Sequence, residues 1–213
     1  VAMFLHKGFY GDLIVAAYML VLPSLAVIMG GIASKNPLAS VGASREMKLV
    51  IGYELPFLLV LLVPIIKSGG QLQLVQLIDA YARAPFALSI SGVIALLVMI
   101  LCVQAKVAVV PFDQAEAETE LTGGALIEYS GAPLGVFKLT KMLMLYAVPM
   151  FVVAVLWGGF GAAGASDASC TTCPLQSGIG LGIVKYLVLV VLITLIRNTS
   201  PRVRIEHAVK FFW

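Results

Sequence analysis

The chain runs to 213 residues, 61% of them hydrophobic and only 12% charged, well under the roughly 25% charged content of ordinary soluble domains. Its formal net charge of +3 is small and its basic residues are scattered rather than interleaved with aromatics, which excludes a nucleic-acid partner. The apolar stretches are about as long as a bilayer is thick, near 20 residues, so the expected solvent is lipid.

In chain order, apolar runs cover residues 13–32, 49–66, 86–110, 134–157 and 179–196, each bounded by charged, Gly or Pro positions. The runs predict an all-α integral membrane protein, a bundle of about five transmembrane helices forming one domain over residues 1–213. Pro23, Pro56, Pro64 and Pro149 fall in or near the ends of these runs. Membrane helices tolerate proline where neighbours or water satisfy the freed carbonyls, so local kinks are expected there. The chain opens almost directly on a spanning run, without the basic head and cleavage site of a signal peptide, and ends as abruptly at Phe211, Phe212 and Trp213. The expectation is that one or both natural termini extend further.

Lys and Arg accumulate in cytoplasmic loops. Lys35, Arg45 and Lys48, the segment from Lys106 through Lys138 and Lys141, and the tail with Arg197, Arg202, Arg204 and Lys210 therefore share one side, against Lys7, Lys67 and Arg83 on the other. This predicts a multi-pass protein of the cell membrane with loop 104–133 cytoplasmic and loop 158–177 external.

The cytoplasmic loop carries the chemistry. Residues 111–131, PFDQAEAETELTGGALIEYSG, hold Asp113, Glu116, Glu118, Glu120 and Glu128, in a protein with only 11 acids. If the part after Pro111 is helical, Asp113, Glu116 and Glu120 share one face and Glu118 points elsewhere. Carboxylates that close, at the edge of a low-dielectric medium, titrate as a coupled set and can pass protons. The plainer alternative is a solvated loop whose acids aid solubility. The apolar flanks 106–110 and 125–127, with Gly123 and Gly124 allowing close backbone approach, place the acids between membrane-depth elements instead. Glu54 lies within the second apolar run, with Glu46 two turns before it. An ionisable side chain at membrane depth is costly and marks a functional candidate. The structural alternative has Glu54 hydrogen-bonded to Tyr53 or paired with a basic residue such as Lys48 only to hold helices together. Arg45, Lys48 and Lys106 are the candidate charge partners, and Lys185, inside the last run, either joins them or snorkels to an interface.

Other features are plainer. Cys170 and Cys173 form a CxxC in the external loop without the setting of a thioredoxin or the four ligands of a zinc site, leaving a local disulfide or two free thiols. Cys102 is expected to pack. His6 and His207 fall on opposite sides and cannot share a haem, and His207 is expected at a surface contact between subunits. No phosphate, dinucleotide or cluster motif is present, so no metal or cofactor is expected in this polypeptide.

Three blocks then carry a resemblance: NPLASVGASREMKLVIGYELP at 36–56, PFDQAEAETEL with GGALIEYSG at 111–131, and NTSPRVRIEHAVKFFW at 198–213. Together they resemble the membrane subunit of respiratory complex I, called the H subunit in bacteria and subunit 1 in mitochondria, and its counterparts in energy-converting NiFe hydrogenases. GASRE at 42–46 and EYSG followed by Ala132, Pro133 and Leu134 look most like the hydrogenase branch, including membrane-bound hydrogenases and sulfane sulfur reductases. The resemblance implies a family fold of about eight helices, of which this chain covers part.

It also implies a non-catalytic, ion-translocating coupling subunit where a peripheral redox arm of a respiratory complex meets its membrane arm. Protons would be relayed by Glu46, Glu54, Asp113, Glu116, Glu118, Glu120 and Glu128. Iron–sulfur clusters and a NiFe centre would lie in partner subunits. The implied partners are a peripheral iron–sulfur subunit and the large catalytic subunit at the acidic loop, antiporter-like subunits in the membrane, and the lipid bilayer. The alternatives are the quinone-site subunit of NADH:quinone oxidoreductase, a stand-alone transporter, whose inverted repeats are not found, and a passive anchor.

Overall fold

The computed structural model describes residues 10–83, 89–115, 123–158 and 174–213, with the side chains of 79, 82, 83 and 174–179 excepted. In chain order the helices are α1 (Asp12–Met19), α2 (Leu22–Ala33), α3 (Pro37–Lys67), α4 (Leu74–Arg83), α5 (Ile90–Lys106), α6 (Ala132–Leu156), α7 (Pro174–Thr199) and α8 (Ile205–Phe212), with a 3₁₀ turn at Gly124–Leu126. Among the described residues there is no strand. Among the described residues four stretches are long and apolar enough to cross a membrane: Asp12–Ala33, Pro37–Lys67, Ala132–Leu156 and Gly180–Thr199. The 17-residue α5 is at the short end of the spanning range. Met29, Val136, Met142 and Val191 are exposed, as outward faces are in a protein whose surroundings are lipid rather than water. The chain is a multi-pass membrane protein.

The second apolar run begins at Leu49, yet its helix begins at Pro37. Asn36 sets that start: its side-chain oxygen accepts the backbone N–H of Leu38 at 2.9 Å, an N-cap bond, and Pro37 sits where its missing N–H costs nothing. Of the four prolines, Pro23 alone coincides with a break: α1 stops at Met19 and α2 restarts with Pro23 in its first turn. α3 runs unbroken through Pro56 and Pro64, and α6 through Pro149.

The chain forms two compact units. One comprises Val1–Tyr18, Leu58–Met99 and Pro149–Leu192, the other Met19–Phe57, Ile100–Val148 and Ile193–Trp213. In the first, α4 turns Leu77 and Tyr81 inward. Gly158, at φ +74°, passes so close to Tyr81 that a Cβ there would sit 2.1 Å from the ring. Lys185 Nζ donates to the carbonyl of Trp157, just beyond the end of α6, at 2.9 Å. Lys185 therefore does not join the other candidate cations: its charge meets the negative end of a helix, where orphan carbonyls collect. Lys185→Met should lower stability by about 1–2 kcal/mol, read as an earlier thermal midpoint in lipid nanodiscs. Lys185→Arg should retain most of it.

In the second unit the buried face of α3 repeats every three or four residues, Ala39, Ala43, Glu46, Val50, Tyr53 and Phe57, the spacing that lines one side of a helix. Ile28, Leu49, Ala105, Phe112 and Ala208 close the core with it. Small residues let backbone press against this face. A Cβ on Gly42 would meet the backbone N of Ala125 at 2.6 Å, and one on Gly31 would meet the Ala43 and Ala125 methyls at 3.0 and 3.2 Å. Tyr129 OH fastens the same segment to the carbonyl of Gly30 at 2.9 Å.

The stretch after α5 is not helical where it is described: residues 107–115 form turns and extended chain. Pro111 has no N–H to give a helix, and its carbonyl is taken by the N–H of Val203 at 3.1 Å. The Gln114 side-chain amide donates to the Val203 carbonyl, and Phe112 packs against Phe212 with the rings tilted by 43° and their centroids 5.1 Å apart. The tail thus supplies the partners a helix would have supplied internally, and Asp113 cannot share a helical face with Glu116 and Glu120.

Candidate functional site: a buried carboxylate–lysine cluster

The second unit brings two of the predicted carboxylates inside. Glu46 occupies a core position of α3 and is 3% exposed. Two turns on, Glu54 Oε2 accepts a hydrogen bond from Lys106 Nζ, in the last turn of α5, at 3.0 Å. The Lys106 side chain is fully buried and that of Glu54 is 19% exposed. Glu54 Oε1 is buried with no hydrogen-bond partner among the described residues. The Lys106 ammonium stands 3.8 Å from the centre of the Phe57 ring and 5.5 Å from that of Tyr53, both within cation–π range.

Of the candidate partners, Glu54 takes Lys106 and neither Tyr53 nor Lys48. Tyr53, its neighbour on the helix, faces another way and shares a hydrogen bond with Ser24 of α2 at 3.2 Å, since adjacent helical residues do not face each other. Lys48 is exposed.

Glu46, Lys106, Ser24, Thr140 and Lys141 line one cavity of about 50 Å³. At roughly 10–15 Å³ per water it has room for about four, and its walls offer the polar partners water requires. A carboxylate, two amines and two hydroxyls around such a space can hold and exchange a proton. Ala108, also on the wall, adopts φ +51°, a left-handed conformation that is uncommon outside glycine.

The remaining candidates are dispersed. Asp113 accepts an ion pair from Arg202 at 3.4 Å. Glu128 is exposed and accepts the side-chain amide of Asn36. Arg45 is half-buried and His207 exposed. Glu116, Glu118, Glu120, Cys170, Cys173 and His6 lie outside the described residues, and Cys102 is a buried thiol. Among the described residues no three His, Cys, Asp or Glu side chains are placed to hold a metal ion. Sequence reasoning missed Ser24, Thr140, Lys141 and Phe57 as site residues and Arg202 as the partner of Asp113. A lone hydroxyl or lysine within an apolar run was the only hint for the first three.

The sequence model of the NADH dehydrogenase family matches residues 4–213. The chain belongs to this family. Among curated NADH dehydrogenase relatives, formate hydrogenlyase subunit 4 of Escherichia coli (strain K12) is 31% identical over 205 residues, covering 95% of this chain and 64% of the relative. The H subunit of NADH-quinone oxidoreductase from Syntrophotalea carbinolica is 31% identical over 200 residues, covering 92% and 56%. In structure the chain is similar to a chain of the membrane-bound sulfane sulfur reductase, an archaeal respiratory membrane complex, with a TM-score of 0.81 at 22% identity over 96% of this chain and 65% of that one. That likeness shows the fold. The chain spans between about half and two-thirds of the length of these relatives. Residues 36–56, 111–131 and 198–213, the blocks that carry the NADH dehydrogenase family resemblance, all fall in the unit that holds the cluster.

Proposed function

We propose that this chain is an ion-translocating coupling subunit of a respiratory, hydrogenase-like complex, standing where a peripheral redox arm meets the membrane arm and relaying protons through its carboxylates. The observation that supports this most is the Glu54–Lys106 pair, drawn out of water, with Lys106 and the buried Glu46 on one cavity. A buried pair of this kind is a poor way to gain stability and a good way to hold a proton that leaves when a neighbouring charge changes. Glu46 and Glu54 form the inner part of the relay. Asp113, Glu116, Glu118, Glu120 and Glu128 form the outer part, with Arg45 and Lys48 as nearby cations.

In this reading the acidic loop is cytoplasmic, since Lys and Arg accumulate in cytoplasmic loops and residues 35–48, 106–141 and 197–210 carry most of them, against Lys7, Lys67 and Arg83 elsewhere. There an iron–sulfur subunit and a large catalytic subunit with its NiFe centre would dock. Antiporter-like subunits would continue the path, and the chain itself would hold no redox group.

The test compares complexes carrying Glu54→Gln or Glu118→Gln in inverted membrane vesicles. Turnover is followed as oxidation of reduced methyl viologen, and pumping as quenching of a pH-sensitive dye. Turnover within about twofold of wild type with pumping lower by about tenfold or more is the expected result, since a positioned proton-transfer group contributes on the order of 10²–10⁴-fold. Undiminished pumping in both would leave only the anchor, and purification without a redox partner would leave the transporter. The equally similar NADH-quinone oxidoreductase relative supports a second reading, contact with quinone, which photoaffinity labelling by an azidoquinone would reveal.

A further inference from the structure

Glu54 and Phe57 lie three residues apart on α3, and Tyr53 and Phe57 four apart, so all three present side chains along neighbouring strips of the helix. Lys106, closing α5, inserts its ammonium among them: 3.0 Å from the Glu54 carboxylate, 3.8 Å from the Phe57 ring centre and 5.5 Å from that of Tyr53. Both rings are fully buried, where water does not compete for the cation and the attraction of a ring face is strongest. The same lysine lines the cavity that holds Glu46.

A carboxylate that relays protons spends part of each cycle neutral. In that state Lys106 would be a buried cation without its anion, a costly arrangement, and its long stem would be free to swing away. The negative face of an aromatic ring persists whatever Glu54 carries. We infer that Phe57, seconded by Tyr53, is a positioning residue of the relay: the ring holds the Lys106 ammonium beside Glu54 and at the cavity wall while Glu54 is neutral. Phe57 then governs how readily Glu54 can give up its charge. The inference rests on the relay reading above. The competing account is that Phe57 fills core volume and nothing more.

Fluorination separates the two, because it withdraws electron density from the ring face while nearly preserving size and apolarity. Phenylalanine at position 57 is replaced by its 4-fluoro, 3,5-difluoro and 3,4,5-trifluoro forms by stop-codon suppression, with Phe57→Leu and Glu54→Gln alongside. Whole complexes in inverted vesicles are compared for pumping per electron from reduced methyl viologen. The expected result is a stepwise fall along the fluorine series, about threefold to tenfold at the trifluoro form, with turnover and subunit composition unchanged. Should the fluorinated forms pump like wild type while Glu54→Gln does not, the ring is core filler and this role is overturned with the relay intact. Normal pumping in Glu54→Gln would remove the relay and the role together. The fluorinated forms decide the matter even where Phe57→Leu does not assemble.

Discussion

Lys106→Met is expected to destabilise the chain by about 3 kcal/mol, at the lower end of the range for stripping one partner from a buried ion pair. The lysine side chain is wholly buried and Glu54 is 19% exposed, so the stranded carboxylate gains only partial access to water. What the substitution removes is the compensation for a charge that remains: methionine fills the space but offers Glu54 Oε2 no proton. A second substitution exposes the cause. Lys106→Met combined with Glu54→Gln removes both charges of the pair and should recover more than half of the loss. Unfolding by dodecyl sulfate in mixed micelles measures all three proteins. A double variant no more stable than Lys106→Met alone would show that the loss comes from packing around the lysine stem and not from the orphaned anion.

Gly42→Val should be comparably severe, about 3 kcal/mol or more, for a steric reason. The new Cβ would lie 2.6 Å from the Ala125 nitrogen, 3.0 Å from the Gly124 carbonyl carbon and 3.1 Å from the Ala115 oxygen. All three are main-chain atoms that cannot turn aside as a side-chain tip would. Ala115, Gly124 and Ala125 must lift from α3, and Ala115 and the neighbouring Leu126 are themselves walls of the cavity beside Glu46. Loss of stability and loss of pumping should therefore appear together. Gly135→Ala is the control: nothing lies within 4 Å of its added methyl, and alanine is a better helix former by up to about 1 kcal/mol. Equal damage at the two positions would mean that close approach at Gly42 is not what the unit depends on.

The membrane helices were legible because their cause is local. A run of about 20 apolar residues can bury its backbone polarity in lipid only as a helix, and no distant residue changes that. The start of α3 is less local. The apolar run begins at Leu49, whereas capping by Asn36 and the proline after it fix the helix start at Pro37. The site was legible in kind and only partly in pairing. Glu54 stood out as a carboxylate at membrane depth and Lys106 as one of several candidate cations, but Lys106 is 52 residues away and on another helix, where periodicity could not choose it over Arg45 or Lys48. The acidic segment misled in its first residues because the tail around Val203, 92 positions after Pro111, decides its hydrogen bonding. Pro111 itself was a local warning against helix there.

The length of α3 has a consequence for where an ion could travel. Its 31 residues measure about 46 Å at 1.5 Å each, against a hydrocarbon slab of about 30 Å. Roughly three turns must lie beyond the oil, and the polar residues before Leu49 mark which end they occupy. Glu54 is then only about 8 Å below the oily boundary, and Glu46 is above it. On the relay reading, a proton arriving at this pair would have crossed about a quarter of the insulating layer. Most of the membrane voltage would still lie ahead, so the work against it would fall to other helices or neighbouring polypeptides, with this cluster as a loading point at the threshold.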